Sequence, residues 1–471
     1  MVLRKDKNPM KALIEEAARM KNREEAHRQR QYEHIITSSN TIHREIYEAG
    51  EGNFQDIRER ILSIVMNGFV LWVLKSAQKQ GVKRLYFLAR DGYFMYQCSK
   101  IYCEKFQLPI ECRYLSCSRY SVRIPTYYLD METALKHICR GGIDVTWNKI
   151  VSRGGLNEEE RKDILKLLGV WEKRKERIPY SDLEQVRRKL KQCPEFLKIV
   201  EEHSRKAYPA FCGYLKQEGL LEEKKAALVD SGWTGSMQKS LESALGYMGR
   251  KEKLRGYYWG LYELENIRER KRYHCYYFSP ENGLRRKVFF SNCLFEVVFS
   301  APTGMTMGYF KENEKFHPQY GPVREKHRQF MLEMERVLLP YTQSVAARLK
   351  SPEQIEEKEE QKLAEKLLRL FMGNPTPEEA RIYGSLEFSD DILDRGHQQV
   401  AVNMDRQELR KNHVWNKGLL MLGIRKGNVK ESGWFEGSAV RYGVWKKYHL
   451  WMYRLYKYLL YMRKKQKYFS S

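Results

Sequence analysis

Two aspartates, Asp91 and Asp230, each close a strand-like run and open a helix-like one. In KRLYFLARDGYF, residues 83–94, an apolar run over 85–89 gives way to Arg90, Asp91 and Gly92. An acid at the carboxyl end of a buried strand is where open α/β sheets place their chemistry, and a helix cap uses the same position. In AALVDSGWTGS, residues 226–236, apolar residues lead to Asp230, and Ser231, Gly232, Thr234, Gly235 and Ser236 follow. Glycines there let backbone N–H groups approach an anion, the hydroxyls of Thr234 and Ser236 donate to phosphate oxygens, and the helix beginning near Ser236 adds the positive end of its dipole. The plainer alternative is a tight turn with Ser236 as the helix cap.

If the two strands are neighbours in one sheet, the acids converge. Paired carboxylates can hold Mg²⁺ together with phosphate oxygens, or divide acid and base roles. Arg90 and Gly92 flank Asp91 and would help bind substrate. YLSCSRYSVRIP, residues 114–125, follows a second strand and could bring Ser116, Ser118, Arg119 and Arg123 to the same cleft. Glu296 lies among Leu294, Phe295, Val297, Val298 and Phe299, where an unpaired carboxylate is costly, so it is a further site candidate.

The elements that would position these residues are legible in outline. Strands are expected over 85–89, 111–115, 226–230 and 253–264, with a buried helix over 56–79 and helical spacing after Asp91. Strand–helix–strand is the unit of a parallel sheet. The chain divides into N-terminal helices (1–50), a first half of an α/β core (51–130), a helical insertion (131–219), a second half of the core (220–310), a helical region (311–435) and a basic aromatic amphipathic tail (436–471). The expected fold class is α/β: a parallel, Rossmann-like sheet with a helical insertion and a mostly helical C-terminal region. Within the insertion, residues 182–208 read as one amphipathic stretch, and a helix is expected to start at Thr376.

The 471 residues exceed one simple core. Lysine and arginine total 85 against 60 acids, a formal charge of +25, which implies an anionic partner. The nine cysteines form no CxxC pair, and no His/Cys spacing suits zinc. No P-loop, GxGxxG, HExxH or GxSxG pattern occurs. The first twenty residues hold no apolar core segment, so no secretory signal is expected, and a reducing cytoplasm fits free thiols.

Four segments, LYFLARDGYFM, YLSCSRYSVRIP, LVDSGWTGSMQ and FEVVFSAPTGMTMGY, resemble a bacterial family of predicted hydrolases of the haloacid dehalogenase-like superfamily, found in surface-polysaccharide gene sets and sometimes fused to glycosyltransferases. The likeness covers about residues 55–320 and extends more weakly through NPTPEEARIYGSLEFSDD. It implies a phosphate-ester hydrolase or transferase acting on a phosphorylated sugar or lipid-linked intermediate; the working acids are those read from the strand ends, Asp91 and Asp230, which could hold Mg²⁺. The superfamily's D-x-D-G-T strand end uses the first Asp as nucleophile and the second as acid/base. Laid over ARDGY, that pattern puts Ala89 at the first position and Asp91 at the second; the other register makes Asp91 the nucleophile and puts Tyr93 at the second acid position. LVDSGWTGS also looks like the phosphate-cradling loop of phosphoribosyltransferases, with one acid where that loop has more. The reading from another class is a non-catalytic module that binds a glycan precursor or partners a glycosyltransferase.

No acid follows Glu436, and in residues 441–471 lysines and arginines alternate with Trp, Tyr and Leu. Such a helix can lie on an anionic membrane surface, bind nucleic acid as the less favoured choice, or dock on its own protein. The first reading would place the chain peripherally at the inner face of the cell membrane.

Overall fold

The computed structural model describes residues 9–51, 54, 56–142, 145–389, 398–421 and 429–467. The first eight residues, the last four of the tail, and Asp390 and Asp391 of the family-like stretch lie outside them. Five parallel strands make the central sheet: β1 Arg84–Leu88, β2 Glu111–Leu115, β3 Ala226–Trp233, β4 Arg255–Leu261 and β5 Tyr273–Phe278, in the order β2-β1-β3-β4-β5. The fold is mixed α/β and Rossmann-like in architecture.

The two-residue period of the strands explains the layers. Leu85 and Phe87 of β1, with Ala227 and Val229 of β3, face one side. There they meet the Ile57–Lys79 helix and the Gly92–Lys105 helix that links β1 to β2. Tyr86, Leu88 and Leu228 face the other side, against Phe211, Tyr214, Leu241 and Leu245 of the Pro194–Gln217 and Ser236–Tyr247 helices. Both faces are therefore covered, as all-parallel sheets require. The Ile57–Lys79 helix is long and apolar enough to cross a bilayer, but 83% of its most apolar window is buried inside the protein.

Between β2 and β3 the chain is helical and has its own cluster of buried apolar residues, among them Leu135, Ile150, Leu165, Leu190 and Val200. The stretch over 182–208 is two helices, Leu183–Lys191 and Pro194–Gln217. Pro194 opens the second, because proline has no N–H to continue the first and its ring suits a first helical turn.

Three expectations are corrected. β3 runs three residues past 230. β5 adds a strand beyond those expected. The segment after 311 is not yet helical: β6 Thr306–Glu312 and β7 Lys315–Tyr320 form an antiparallel hairpin, turned by Asn313 and Glu314 at positive φ. That is the backbone a two-residue hairpin loop demands. The next helix starts only at Glu325. Thr376 caps the Pro377–Ile382 helix through a reciprocal capping box with Glu379.

The tail forms the Lys446–Lys467 helix, and one side of it docks on the body. Tyr461 stacks on Tyr262 with ring centroids 5.3 Å apart, and Lys464 pairs with Glu263 at 3.0 Å. Buried Lys457 donates to the Phe290 carbonyl at 2.9 Å and lies 3.5 Å from the buried carboxylate of Glu436.

Candidate functional site

β1 and β3 are adjacent and parallel, paired through Phe87 and Val229. From β1 the chain crosses to β2 on one side, and from β3 to β4 on the other. This reversal opens a crevice beyond the carboxyl ends of β1 and β3, the usual ligand position in such sheets. Asp230 lies on β3 in register with Tyr258 of β4, and Asp91 follows β1.

Asp91 occupies the N-cap position of the Gly92–Lys105 helix, yet its side chain makes no capping bond. Instead Asp91 Oδ2 accepts from the buried Ser231 hydroxyl near the end of β3, so it is not serving as a cap. Glu296, on the Asn292–Val298 helix, accepts from Trp233 Nε1. Each of the three carboxyls keeps an opening to the cleft while protein surrounds it. Burial therefore raises all three pKa values. For Asp91, the Ser231 hydroxyl and the charges of Arg90 and Arg119 work against that rise. Asp230 is pushed well above the usual carboxylate range by burial and then by the charge of Asp91. Glu296 rises to about 7 through burial and then Asp91.

The backbone around these acids is unusual. Arg90 and Trp233 both have positive φ, 66° and 75°, rare for bulky residues and common where surrounding structure holds a functional loop. The Arg90 N–H donates to the Tyr114 hydroxyl at 3.0 Å, and the Trp233 ring packs among Tyr262, Phe278, Phe290 and Phe295. Gly235, at φ 64°, is the N-cap of the Ser236–Tyr247 helix, and no side chain caps it. Ser236 is the first helical residue, not the cap, and the first N–H groups of that helix lack a side-chain acceptor at the cap.

Gly232 is required by its surroundings. Its φ is 112°, and a Cβ there would stand 2.5 Å from the Gly260 carbonyl oxygen of β4. Gly232→Ala is expected to destabilise the protein by at least ~2 kcal/mol, read as a lower denaturant midpoint. An unchanged midpoint would mean that the loop relaxes freely.

A cavity of about 300 Å³ lies over the strand ends. Arg90, Asp91, Ser118, Arg119, Asp230, Ser231, Gly232, Thr234, Ser236 and Glu296 all line it. Gly92 and Gly235 do not; they shape the backbone turns beneath it. A second cavity, about 640 Å³, shares Arg90, Asp91 and Glu296, so the acids sit where two hollows meet. No family model and no curated protein matches this chain.

Ser118 lines the cleft, but its hydroxyl is engaged elsewhere. It caps the Arg119–Arg123 helix in a capping box with Ser121 and donates to the Thr306 carbonyl at 2.7 Å. Sequence reasoning missed Trp233, which orients Glu296, and missed Arg140 and Arg153, which the insertion brings to the same cavity. An arginine before two glycines, Arg140-Gly141-Gly142, was the one local signal for the latter pair.

Among the described residues no group of three or more His, Cys, Asp or Glu side chains is arranged to hold a metal ion. Mg²⁺ characteristically takes one or two carboxylates and completes its shell with water and phosphate oxygens. Asp91 and Asp230 are two carboxyls lining one cavity, the number such a site uses.

Proposed function

We propose that this protein is a phosphate-ester hydrolase or transferase acting on a phosphorylated sugar or lipid-linked intermediate of cell-surface polysaccharide synthesis. The observation that carries the reading is the meeting of Asp91, Asp230 and Glu296 at the switch point of the sheet, beside a helix start without a side-chain cap. Three acids of one sign in a concave site favour a ligand that supplies cations or protons between them, and arginines at the rim favour an anion.

The environments of the two aspartates suggest their roles. Ser231, Arg90 and Arg119 favour the ionised form of Asp91, which suits a base that takes a proton from the attacking water or hydroxyl. Burial and then the charge of Asp91 favour the protonated form of Asp230, which suits an acid that returns a proton to the leaving oxygen as the P–O bond breaks. Ala89 stands where the resembled superfamily has its nucleophile, so direct attack on phosphorus is favoured over a phosphoaspartate. Mg²⁺ is the alternative use of the same pair: held by Asp91 and Asp230, both then ionised, it would neutralise phosphate charge in place of the acid/base division. The N–H groups of Ser236 and Met237, with the Thr234 hydroxyl, would cradle the non-reacting oxygens. A panel of phosphosugars assayed with Mg²⁺ tests the reading. Absence of turnover on every ester, with intact folding, would leave the rival binding module as the better account.

The outer face of the tail helix supports a second, separate role. Trp451 of the helix and Trp445 just before its start are 60% and 71% exposed, and Trp415 of the neighbouring Val414–Met421 helix is 74% exposed. Tyr448, Leu459 and Met462 continue the stripe at helical spacing, with Lys446 and Lys447 beside it. Tryptophan at this exposure suits the headgroup region of a bilayer, and the lysines suit anionic lipid. We infer that this face rests on an anionic membrane. Deleting the tail would also strip the body of its docked side, so substitution is the cleaner test. Vesicles of phosphatidylglycerol should sediment wild-type protein, and W445S/W451S should bind them ~10-fold more weakly or worse. Equal partitioning of the two proteins would remove the membrane role.

A further inference from the structure

The cavity over the acids has a second wall, and that wall is basic. Arg119 stands at its rim, and the insertion contributes Arg140 and Arg153. Arg153 is buried, and its Nη1 donates to the carbonyls of Ile138 and Arg140, which fixes the turn bearing Arg140. Behind them lies Arg123, 3% exposed. Its Nε donates to the Ser240 hydroxyl at 3.2 Å, and its Nη1 has no hydrogen-bond partner among the described residues. A buried guanidinium atom without an acceptor is costly.

The cations also oppose one another. The pKa of Arg123 falls to about 10, chiefly through burial; the charges of Arg119 and Arg140 act in the same direction, and Tyr127 and Glu265 act against it. Glu265 is itself bonded to Lys239. His137 is driven down to about 3 by burial, then by Arg123 and Arg140, so it adds no charge at neutral pH. Arg119 and Arg140 thus face the cavity with buried Arg153 beside them and Arg123 behind, a concentration of positive charge that favours a phosphate anion.

We propose that this wall is a second anion subsite and that the substrate is a diphosphate ester. Its reacting phosphoryl group would lie at Asp91 and Asp230, and its other phosphate at Arg119 and Arg140. The inference rests on the phosphate-ester reading and adds the class of ester. It also gives the insertion a function: the segment between β2 and β3 selects substrate by closing the basic side of the cleft.

Calorimetric binding of methylenediphosphonate and of inorganic phosphate tests this without turnover. Wild type should prefer the diphosphonate by ~10-fold or more, since one charge-assisted hydrogen bond to the second phosphate is worth about that factor. R119Q/R140Q alters an exposed and a half-buried side chain and should bind both ligands alike, with an unchanged circular dichroism spectrum. Asp230→Asn should keep the preference. No preference in wild type, or an undiminished one in R119Q/R140Q, overturns the subsite. A preference that persists in a protein with no turnover on any ester would leave the subsite standing and discard the catalytic reading alone.

Discussion

Asp230→Asn should abolish turnover and stabilise the fold. Loss of an acid/base group typically costs ~10²–10⁴-fold in rate, and the amide can neither donate a proton to a leaving oxygen as an acid nor hold charge. The stability effect has the opposite sign. Asp230 has a folded-state pKa raised above its unfolded value, first by burial and then by Asp91. For such a group the unfolded chain binds fewer protons than the native one above the unfolded pKa. Stability therefore falls as pH rises through the interval between the two values and stays low above it. Asparagine has no such fall. The variant should be more stable than wild type at neutral pH, and the advantage should vanish as pH drops below the ordinary aspartate range near ~4. Denaturant midpoints of both proteins across pH, beside initial rates on the most active ester, check both halves. A variant that is less stable at pH 7 would show that the carboxylate is held by favourable contacts, and a fully active variant would take Asp230 out of the reaction.

The second large effect lies far from the cleft. Lys457→Ala leaves Glu436, 2% exposed, as a buried charge without its cation. Breaking a buried pair in this way costs about 3–5 kcal/mol. Lys457→Met with Glu436→Gln removes both charges and should recover most of that loss, because a buried pair contributes little net stability over a well-packed neutral replacement. The same substitutions report on docking: the single variant should expose the Lys446–Lys467 helix to limited proteolysis, and the double variant should protect it again. A single variant within ~1 kcal/mol of wild type would mean that the helix is held mainly by Tyr461, Lys464 and its apolar residues.

The sequence carried local features well and pairings poorly. The runs ending in Asp91 and Asp230 could be read as strand ends because apolar residues stop at an acid and glycine follows. That β1 and β3 are neighbours could not be read, since periodicity is local and strand order is not. β5 was hidden by RYHCYYF, whose aromatic residues fit a helix face or a strand equally. The β6–β7 hairpin was hidden by Pro318, which demotes a strand reading, and by lysines and glutamates that suit an exposed helix. The tail was legible as a basic aromatic helix. Which of its lysines turns inward was not, because composition does not distinguish Lys457 from Lys446. Glu296 stood out as an acid in apolar company, whereas its partner Trp233 looked like any aromatic at a strand end.

The bond between Ser231 and Asp91 joins residues 140 apart, and most of that separation is the insertion. Closing so long a loop must precede any gain from pairing β1 with β3. During synthesis, a chain that has emerged only as far as the Pro194–Gln217 helix presents Leu85 and Phe87 on a strand lacking its inner neighbour. The apolar cluster over 124–200 can already assemble at that stage, since its members are close in sequence. The cleft over Asp91 and Asp230 therefore closes late in folding, after the lobe that carries Arg140 and Arg153 to it can already have formed.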